Sequence, residues 1–399
     1  FKYPADKITV SLAPADIKKE GPAFDLPIAL GILAASEQIP VHSLQKYTIL
    51  GELALDGKIR AVKGCLPIAL GMNSDKSSSL ILPQENCREV AAVKNISAFP
   101  VKSLAEVVNF LNDAESILPF KADIREIFKE KSAYEVDFAE VKGQVHVKRG
   151  LEVAVAGGHN VLLIGPPGAG KTMLAKRIPT IMPQMSLEEA LETTKIHSIM
   201  GLVNPSDGIV AQRPFRAPHH TSSDIALVGG GSIPKPGEIS LAHNGVLFLD
   251  ELPEFHRDCL ETLRQPLEDG YINVSRVAKS MRFPSRFMLV AAMNPCPCGY
   301  YTDPKRNCHC TTTQIQRYLS KISGPLLDRI DIHIEVASLK YKEISSQAPA
   351  EGSAQIRGRI QKARLIQQKR LAKENVFTNA AMNHKQIKEF CGIDSAAGE

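Results

Sequence analysis

Apolar residues in the first part of the chain follow two alternating patterns. Short β-type runs lie at residues 7–12, 47–55 and 79–82, and stretches with helical spacing lie at residues 24–36, 66–72 and 103–111. Because strands and helices alternate, the pattern predicts a small α/β domain over residues 1–111.

A second pattern, of buried strands, begins after residue 137. The runs at residues 161–164, 246–250 and 287–292 are almost wholly apolar, which is typical of strands covered on both faces of a parallel sheet. Long helical stretches separate these runs, so we expect a three-layer α/β core over residues 137–345.

Two charged stretches flank this core. Residues 112–136 lack a strong apolar period, and we predict a linker there. Residues 354–373 are rich in Arg, Lys and Gln and favour a helix, so residues 346–399 are predicted to begin a helical module that the chain does not complete.

Composition narrows the class of protein. The 399 residues are 44% hydrophobic and 23% charged, which indicates a globular chain of two or three domains and excludes a disordered chain or a coiled-coil rod. The apolar runs are far shorter than the roughly 20 residues of a membrane-spanning helix, so no membrane partner is expected. A net charge of +5 permits nucleic-acid binding without requiring it. The chain starts at Phe1, inside a strand-rich pattern, and we expect an upstream piece to be missing.

The strongest motif is a glycine-rich loop that reads GPPGAGKT over residues 165–172. It follows a β-type run and precedes a helical stretch, the order that a phosphate-binding loop requires. Glycines let backbone N–H groups wrap an anion, and the helix adds the positive end of its dipole. Lys171 supplies a charge for the β- and γ-phosphates of ATP, and Thr172 supplies a hydroxyl for Mg²⁺. The candidate nucleotide-binding residues are Gly165, Pro166, Pro167, Gly168, Ala169, Gly170, Lys171, Thr172 and, from a later strand, Asp250.

Polar side chains follow the next two β-type runs. Asp250 and Glu251 come after the first of them, and Asn294 comes after the second. Ligands of open α/β sheets bind at the carboxyl ends of the strands. We therefore expect Asp250 to hold Mg²⁺ through water and Glu251 to orient and deprotonate the attacking water. Asn294 can hydrogen-bond the γ-phosphate or the water without adding charge, so the sequence predicts a Mg²⁺-dependent ATP hydrolase.

Four of the eight cysteines lie close together after Asn294. They form two Cys-x-Cys pairs separated by nine residues, namely Cys296, Cys298, Cys308 and Cys310. Four thiolates at such spacing can close a tetrahedral, structural Zn²⁺ site, which also indicates a reducing, cytoplasmic setting. Cys-x-Cys is tighter than the usual Cys-x-x-Cys, so His309 could replace one ligand, and free cysteines on a loop are the alternative.

Taken together, five motifs resemble those of AAA+ ATPases. They are the glycine-rich loop, the carboxylate strand, Asn294 with Cys-Pro-Cys-Gly, Phe215-Arg-Ala-Pro-His-His220 and Gly324-Pro-Leu-Leu-Asp-Arg329. More narrowly, they resemble the magnesium-chelatase-like ComM/YifB family over nearly the whole chain. The resemblance implies a P-loop AAA+ core, a helix-two insert at residues 198–243, a truncated helical lid and a homohexameric ring with ATP at its interfaces.

In such a ring, the resemblance implies that Arg329 reaches the neighbouring subunit's γ-phosphate as an arginine finger. A fork-shaped permanent cation suits the charge of a phosphoryl-transfer transition state. The alternative for Arg329 is a salt bridge with Asp328 or Asp331.

The front of the chain resembles the S5-type proteolytic domain of Lon proteases, through Glu20-Gly-Pro-Ala23-Phe-Asp and residues 51–60. The position matching the nucleophilic Ser is Ala23, and the position matching the catalytic Lys is about Leu66. Neither side chain can form or activate an oxygen nucleophile. We therefore expect an inactive domain that serves assembly or partner contacts.

Residues 271–286 are predicted to form a basic hairpin that carries Arg276, Lys279, Arg282 and Arg286. In related rings such a pre-sensor hairpin faces the pore, where Arg276 and Lys279 could grip a phosphate backbone. A solvated charged hairpin is the alternative. His219 and His220 are candidates for a similar place near the pore, or for a structural role.

The function favoured by these patterns and by the resemblance is a ring ATPase that couples hydrolysis to translocation on DNA. The resemblance implies branch migration or helicase work in recombination or natural transformation, with recombination proteins as possible partners. The basic stretch at residues 357–373 is a second, modest support for DNA binding. The alternative is a magnesium-chelatase-type motor or another AAA+ remodelling ATPase that does not act on DNA.

Overall fold

The structure is a computed structural model that describes residues 2, 4, 7–12, 21–72, 78–231, 234–276, 279–301, 303, 306–338, 350–374 and 376–392. The chain divides into two compact units. Unit 1 comprises Phe1–Ser132 and Ser186–Ala211, and unit 2 comprises Ala133–Met185 and Gln212–Glu399. The return of Ser186–Ala211 to unit 1 was not anticipated from the sequence.

The strands, in chain order, are β1 (Thr48–Ile49), β2 (Glu52–Leu53), β3 (Ile59–Arg60), β4 (Ser78–Pro83), β5 (Ile96–Val101), β6 (Val161–Ile164), β7 (Phe215–Arg216), β8 (Gly229–Gly230), β9 (Lys235–Pro236), β10 (Val246–Leu249), β11 (Tyr271–Arg276), β12 (Lys279–Pro284), β13 (Met288–Met293) and β14 (Ile332–Glu335).

The α-helices are α1 (Asp25–Ala35), α2 (Val41–Leu44), α3 (Cys65–Met72), α4 (Cys87–Val90), α5 (Leu104–Leu111), α6 (Ile124–Lys131), α7 (Val145–Gly157), α8 (Lys171–Ile181), α9 (Leu187–Met200), α10 (Asp224–Val228), α11 (Glu238–Leu241), α12 (Arg257–Glu261), α13 (Arg264–Asp269), α14 (Thr312–Leu319), α15 (Gly324–Leu327), α16 (Ser353–Leu371) and α17 (His384–Phe390). None of the described helices combines the length and the apolar character needed to cross a bilayer.

Unit 1 is built around a parallel sheet of strand order β1-β4-β5. Successive residues of β4 face opposite layers: Ile81 packs into one apolar cluster, whereas Leu80 and Leu82 pack into another. Both faces of the sheet are therefore buried, as expected for parallel strands. Helix α9 packs against α3 within this unit.

The strand predicted at residues 7–12 is absent from the structure. These residues have no regular secondary structure, and the side chains of Ile8, Val10 and Leu12 are exposed. Alternating apolar residues give a segment strand propensity, but a strand forms only where a neighbour completes its hydrogen-bond ladder. No described strand pairs with residues 7–12.

Unit 2 contains a five-stranded, fully parallel sheet of order β14-β6-β13-β10-β7. Alternate residues of β10 again face opposite layers: Val246 and Phe248 pack with α7, α8 and α16, whereas Leu247 and Leu249 pack with α12 and α14. The α/β fold with a parallel sheet is thus confirmed. The three strands predicted for this core are each observed to within one residue.

The predicted insertion at residues 198–243 needs correction. Its first part packs in unit 1, and it contains β7, which is an edge strand of the core sheet beside β10. The remainder forms α10, the two-stranded ribbon β8–β9 and α11. A two-residue strand such as β7 is too short to produce a hydrophobic pattern, which is why the sequence did not reveal it.

Candidate nucleotide-binding site

The glycine-rich loop connects the central strand β6 to α8 at the carboxyl edge of the sheet. A Cβ atom at Gly165 would lie 2.1 Å from the carbonyl oxygen of Val336, so only glycine fits there. Gly168 and Gly170 have φ angles of +76° and +88°, the left-handed region that favours glycine. The shape of the loop therefore requires glycine at these three positions.

Lys171 begins α8 and turns its side chain back into the loop. Its Nζ donates to the carbonyl oxygens of Gly165 at 2.6 Å and Pro166 at 3.0 Å, and to Oδ1 of Asn294 at 3.0 Å. Burial lowers the pKa of Lys171, while the carboxylates of Asp250 and Glu251 oppose that shift. A buried cation surrounded by neutral acceptors is suited to an anionic ligand.

Asp250 and Thr172 meet at the same edge. The Thr172 hydroxyl donates to Oδ2 of Asp250 at 2.7 Å, and the backbone N–H of Glu251 donates to Oδ1 at 3.0 Å. Hydroxyl and carboxylate oxygens are the hard ligands that Mg²⁺ prefers, so these residues fit a magnesium ion beside the loop. Thr172 and Asp250, which the sequence assigns separately to Mg²⁺, are thus in contact in the structure.

Glu251 is held in an unusual conformation next to a histidine. Its backbone is left-handed, with φ of 54°, and its Oε2 lies 3.2 Å from Nδ1 of His220. The ring of His220 lies against His219, with ring centroids 4.1 Å apart. The sequence shows His219 and His220 as an adjacent pair, but nothing in the local pattern indicates the contact between His220 and Glu251.

Asn294 lies between the two halves of the site. It follows strand β13, which lies between β6 and β10 in the sheet, and its Oδ1 accepts a hydrogen bond from Nζ of Lys171. Its backbone is hydrogen-bonded to Tyr318 of α14, a phenol whose pKa is raised to about 12 by burial. The structure therefore brings the loop, the carboxylates and the amide to the same edge of the sheet.

The four clustered cysteines also converge. Their sulfur atoms all lie within 4.8 Å of one another, with 3.3 Å between Cys296 and Cys298 and 3.7 Å between Cys296 and Cys308. Cys296 is fully buried, and the other three are half-buried. His309 is not a member of the group.

Arg329 follows α15 and forms an ion pair with Glu268 of α13. It also donates to the carbonyl oxygen of Pro325 at 2.5 Å. The alternative salt bridge with Asp328 or Asp331 is not the pair observed, since Asp331 instead contacts Nδ1 of His159 at 3.0 Å. Glu268 was not singled out from the sequence, because the pairing joins distant segments.

The predicted basic hairpin is present as the antiparallel pair β11–β12. Arg276 and Lys279 are its last register pair, next to residues outside the described chain. At the base, Ile272, Val274 and Phe283 are buried in the core of unit 2. Arg282 stacks on the ring of Tyr271 at 3.3 Å and therefore has a structural contact.

The second basic stretch contacts its own unit. On α16, Arg357 donates to the carbonyl oxygen of Thr180 at 3.1 Å, and Arg364 donates to that of Val155 at 2.9 Å. Arg359 binds both oxygens of Glu152, at 2.7 and 3.0 Å, and also pairs with Glu351. These three arginines dock α16 on the core, so they give little support for DNA binding.

In unit 1, the positions that match a Lon-type dyad hold apolar side chains. Leu66 is fully buried in an apolar cluster, and Ala23 packs against the same cluster. The Leu66 backbone N–H donates to Oε1 of Glu89 at 3.0 Å. No nucleophile or base stands at either position.

A parallel sheet with a glycine loop after its central strand, and an acidic pair after another strand, defines a P-loop nucleotide-binding domain. The chain belongs to the magnesium-chelatase-like AAA+ ATPases: the family model described as magnesium chelatase, subunit ChlI, matches residues 137–344. Models for the ChlI subunit of Mg-chelatase and for the ChlI C-terminal region match residues 1–86 and 350–399.

Relatives agree over nearly the full length. The chain is 47% identical to the competence protein ComM of Haemophilus influenzae, and the match covers 99% of the chain and 76% of that protein. It is 45% identical to the uncharacterized protein YifB of Escherichia coli, with the same coverage. A shorter match, 28% identical over 145 residues, covers 33% of the chain and 25% of Lon protease 2 of Bacillus subtilis.

Proposed function

We propose that this chain is the motor part of a ring-forming AAA+ ATPase that couples ATP hydrolysis to translocation on DNA. The observation that carries the hydrolase part is the convergence of Lys171, Thr172, Asp250 and Asn294 around one glycine loop. The fit of hard oxygen ligands beside an anion cradle supports ATP with Mg²⁺ as the bound pair.

The chemistry assigns one task to each side chain. Lys171 neutralises the phosphates, and Thr172 and Asp250 hold Mg²⁺, which supplies charge neutralisation at the phosphate oxygens when bound. Glu251 accepts the proton of the attacking water, with His220 3.2 Å away to fix its carboxylate. Asn294 orients the water or the γ-phosphate by hydrogen bonding.

In the ring, Arg329 of one subunit acts on the nucleotide of its neighbour. Its guanidinium carries a permanent charge that suits the phosphoryl-transfer transition state. Within its own chain the group pairs with Glu268, so it must exchange this partner to reach an adjoining nucleotide. We propose a homohexamer because the family's ATP sites lie at subunit interfaces.

DNA as the partner is supported by two observations. The β11–β12 hairpin is anchored in the core at its base, and its last described pair is Arg276 with Lys279. The relative named as a competence protein is 47% identical, which agrees with the DNA work in natural transformation that the family resemblance implies. A basic hairpin in a ring pore can follow a phosphate backbone without reading sequence.

A metal-insertion motor is the competing function. The ChlI models match the front, the core and the end of the chain. The front domain therefore does not argue against a chelatase-like function. DNA dependence is the property that separates the two functions.

The hydrolase part is tested with Glu251→Gln. The amide keeps the size of the side chain but cannot accept a proton, so nucleotide binding should persist while turnover falls by about 100-fold. Binding of a fluorescent ATP analogue and phosphate release measure the two quantities. A variant that still hydrolyses ATP at the parent rate would remove Glu251 from the role of base.

The DNA part is tested by ATPase rates with and without single-stranded or forked DNA. We expect stimulation that is lost when Arg276→Ala and Lys279→Ala are combined. The control combines Lys385→Ala and Lys388→Ala, which removes the same charge from exposed positions on α17 and should retain stimulation. An ATPase indifferent to DNA would favour the chelatase-like function.

A further inference from the structure

The cysteine cluster has the geometry of a tetrahedral metal site. Four sulfurs bound at about 2.3 Å to one ion lie about 3.8 Å apart, and the sulfur distances here are 3.3, 3.6 and 3.7 Å for three of the pairs. No disulfide joins any of these cysteines. Four soft sulfurs in this arrangement select Zn²⁺ over the hard ion of the nucleotide site.

Backbone N–H groups surround the sulfurs. Tyr301 donates to Cys296 at 3.3 Å, and Cys310 donates to Cys308 at 3.4 Å. The backbone N–H groups of Tyr300 and His309 also donate to the sulfur of Cys298. The backbone N–H of Cys298 donates to the sulfur of Cys310. Each sulfur thus accepts at least one amide, which is how folded chains stabilise metal-bound thiolates.

The cluster lies between two parts of the catalytic machinery. On one side, Cys296 follows Asn294 by two residues, and a Cβ atom at Gly299 would lie 2.5 Å from Pro167 of the phosphate loop. On the other side, Cys310 directly precedes the capping residue of α14, the helix that leads through α15 to Arg329. The loop therefore connects Asn294, which lies beside the nucleotide site of its own subunit, to the segment that carries Arg329, which is proposed to act in the next subunit.

We propose that one Zn²⁺, held by Cys296, Cys298, Cys308 and Cys310, fixes this loop and thereby sets the positions of Asn294 and Arg329 for hydrolysis. The role of the ion is structural, because four protein ligands leave no open coordination position. The inference concerning hydrolysis rests on the proposed ATPase function, whereas zinc binding itself does not.

Zinc content of the purified full chain tests the site. Mass spectrometry of the metal should find about one zinc per chain in the parent and in Cys391→Ser, a control at an exposed cysteine outside the cluster. Cys298→Ala and Cys310→Ala should lose the ion, whereas Cys310→His should retain it, because imidazole is also a zinc ligand. Iron in place of zinc, or a parent without metal, would overturn the proposal.

Kinetics test the coupling. Cys310→Ala should retain affinity for the ATP analogue, because Lys171 and its loop are intact, while turnover falls by about 10-fold to 100-fold. Cys310→His should restore the rate, which separates a metal-dependent effect from a folding defect. Zinc removal from the parent with a thiophilic chelator, in excess Mg²⁺, should give the same loss, and added Zn²⁺ should reverse it.

The two failures can be told apart. If zinc-free protein hydrolyses ATP at the parent rate, and Glu251→Gln still abolishes that rate, the coupling is wrong and the ATPase function stands. If the zinc-loaded parent does not hydrolyse ATP at all, the proposed function fails and the coupling fails with it, while the metal content still supports the site.

Discussion

The two units are built alike and differ in chemistry. Each has a parallel sheet with apolar clusters on both faces. In unit 2, the strands end in a glycine loop, Asp250 and Asn294, whereas in unit 1 the positions matching a hydrolase dyad are Ala23 and Leu66. A parallel sheet thus accommodates a polar site in one unit and an apolar core in the other, and the side chains placed on it decide which unit can act.

The buried charges sharpen this difference. Among the described residues, the hydrogen-bond acceptors of Lys171 in unit 2 are neutral, namely two loop carbonyls and Asn294, so a phosphate can replace them. Glu89 of unit 1 is also buried, but the Leu66 amide, the Ser198 hydroxyl and the Asn86 amide satisfy it from within. We therefore expect substitutions in unit 2 to change activity and those in unit 1 to change stability.

The largest effect is expected from Arg329→Ala. Loss of an arginine finger should lower turnover by about 10³-fold, or about 4 kcal/mol. Loss of the partly exposed ion pair with Glu268 should cost no more than about 1 kcal/mol of stability. Mixing provides the sharper measurement: Arg329→Ala and Glu251→Gln subunits, each inactive alone, should regain activity together, because one supplies the finger and the other the base. Absence of recovery in mixed rings would place Arg329 outside the neighbour's site.

Lys171→Met should have the next effect. Methionine removes the charge and nearly keeps the length of the lysine side chain, so kcat/KM for ATP should fall by about 100-fold, or about 2.7 kcal/mol. The stability of unit 2 should change little, since the acceptors of this lysine among the described residues are two loop carbonyls and Asn294. If this variant loses stability but still binds ATP, the expectation that substitutions in unit 2 change activity rather than stability is wrong.

Glu89→Ala is the matching change in unit 1. It leaves the Leu66 amide and the Ser198 hydroxyl without their acceptor in a buried place, at a cost of about 2 kcal/mol. Hydrogen exchange should rise in α3 and α9, whereas ATP turnover should stay near the parent value. Glu89→Gln is the control, because its amide oxygen can still accept both bonds, and it should lose less stability.

Local patterns predicted much of this molecule. The three core strands, the glycine loop, the acidic pair and the β11–β12 hairpin depend on adjacent residues and were visible in the sequence. Residues 7–12 show the limit of such patterns, because propensity cannot supply a missing partner strand. The two-residue strand β7 shows the opposite limit. It has a partner strand, β10, but it is too short to give an apolar pattern that would predict it.

Contacts between segments that are far apart in the chain could not be predicted from the sequence. The pairs His220 with Glu251 and Glu268 with Arg329 join elements that only the folded sheet brings together. The basic character of α16 suggested DNA, but charge alone does not tell whether a side chain points outward. Three of its arginines, Arg357, Arg359 and Arg364, find acceptors on α7 and α8, which no count of charges could indicate.

The smallest effect tests that last point. Arg359→Met should destabilise unit 2 by about 1 kcal/mol near pH 7, because the pair is partly screened by solvent, and should leave DNA stimulation unchanged. Hydrogen bonds from Arg359 lower the pKa of Glu152 and of Glu351 below their ordinary value of 4.5. A lowered carboxyl pKa contributes stability that is present above the ordinary value and is lost as pH falls through the lowered one. The difference in free energy of unfolding between the parent and Arg359→Met, measured by urea denaturation, should therefore shrink below pH 4.5. A difference that persists in acid would mean that packing of the arginine side chain, and not its charge, holds α16 in place.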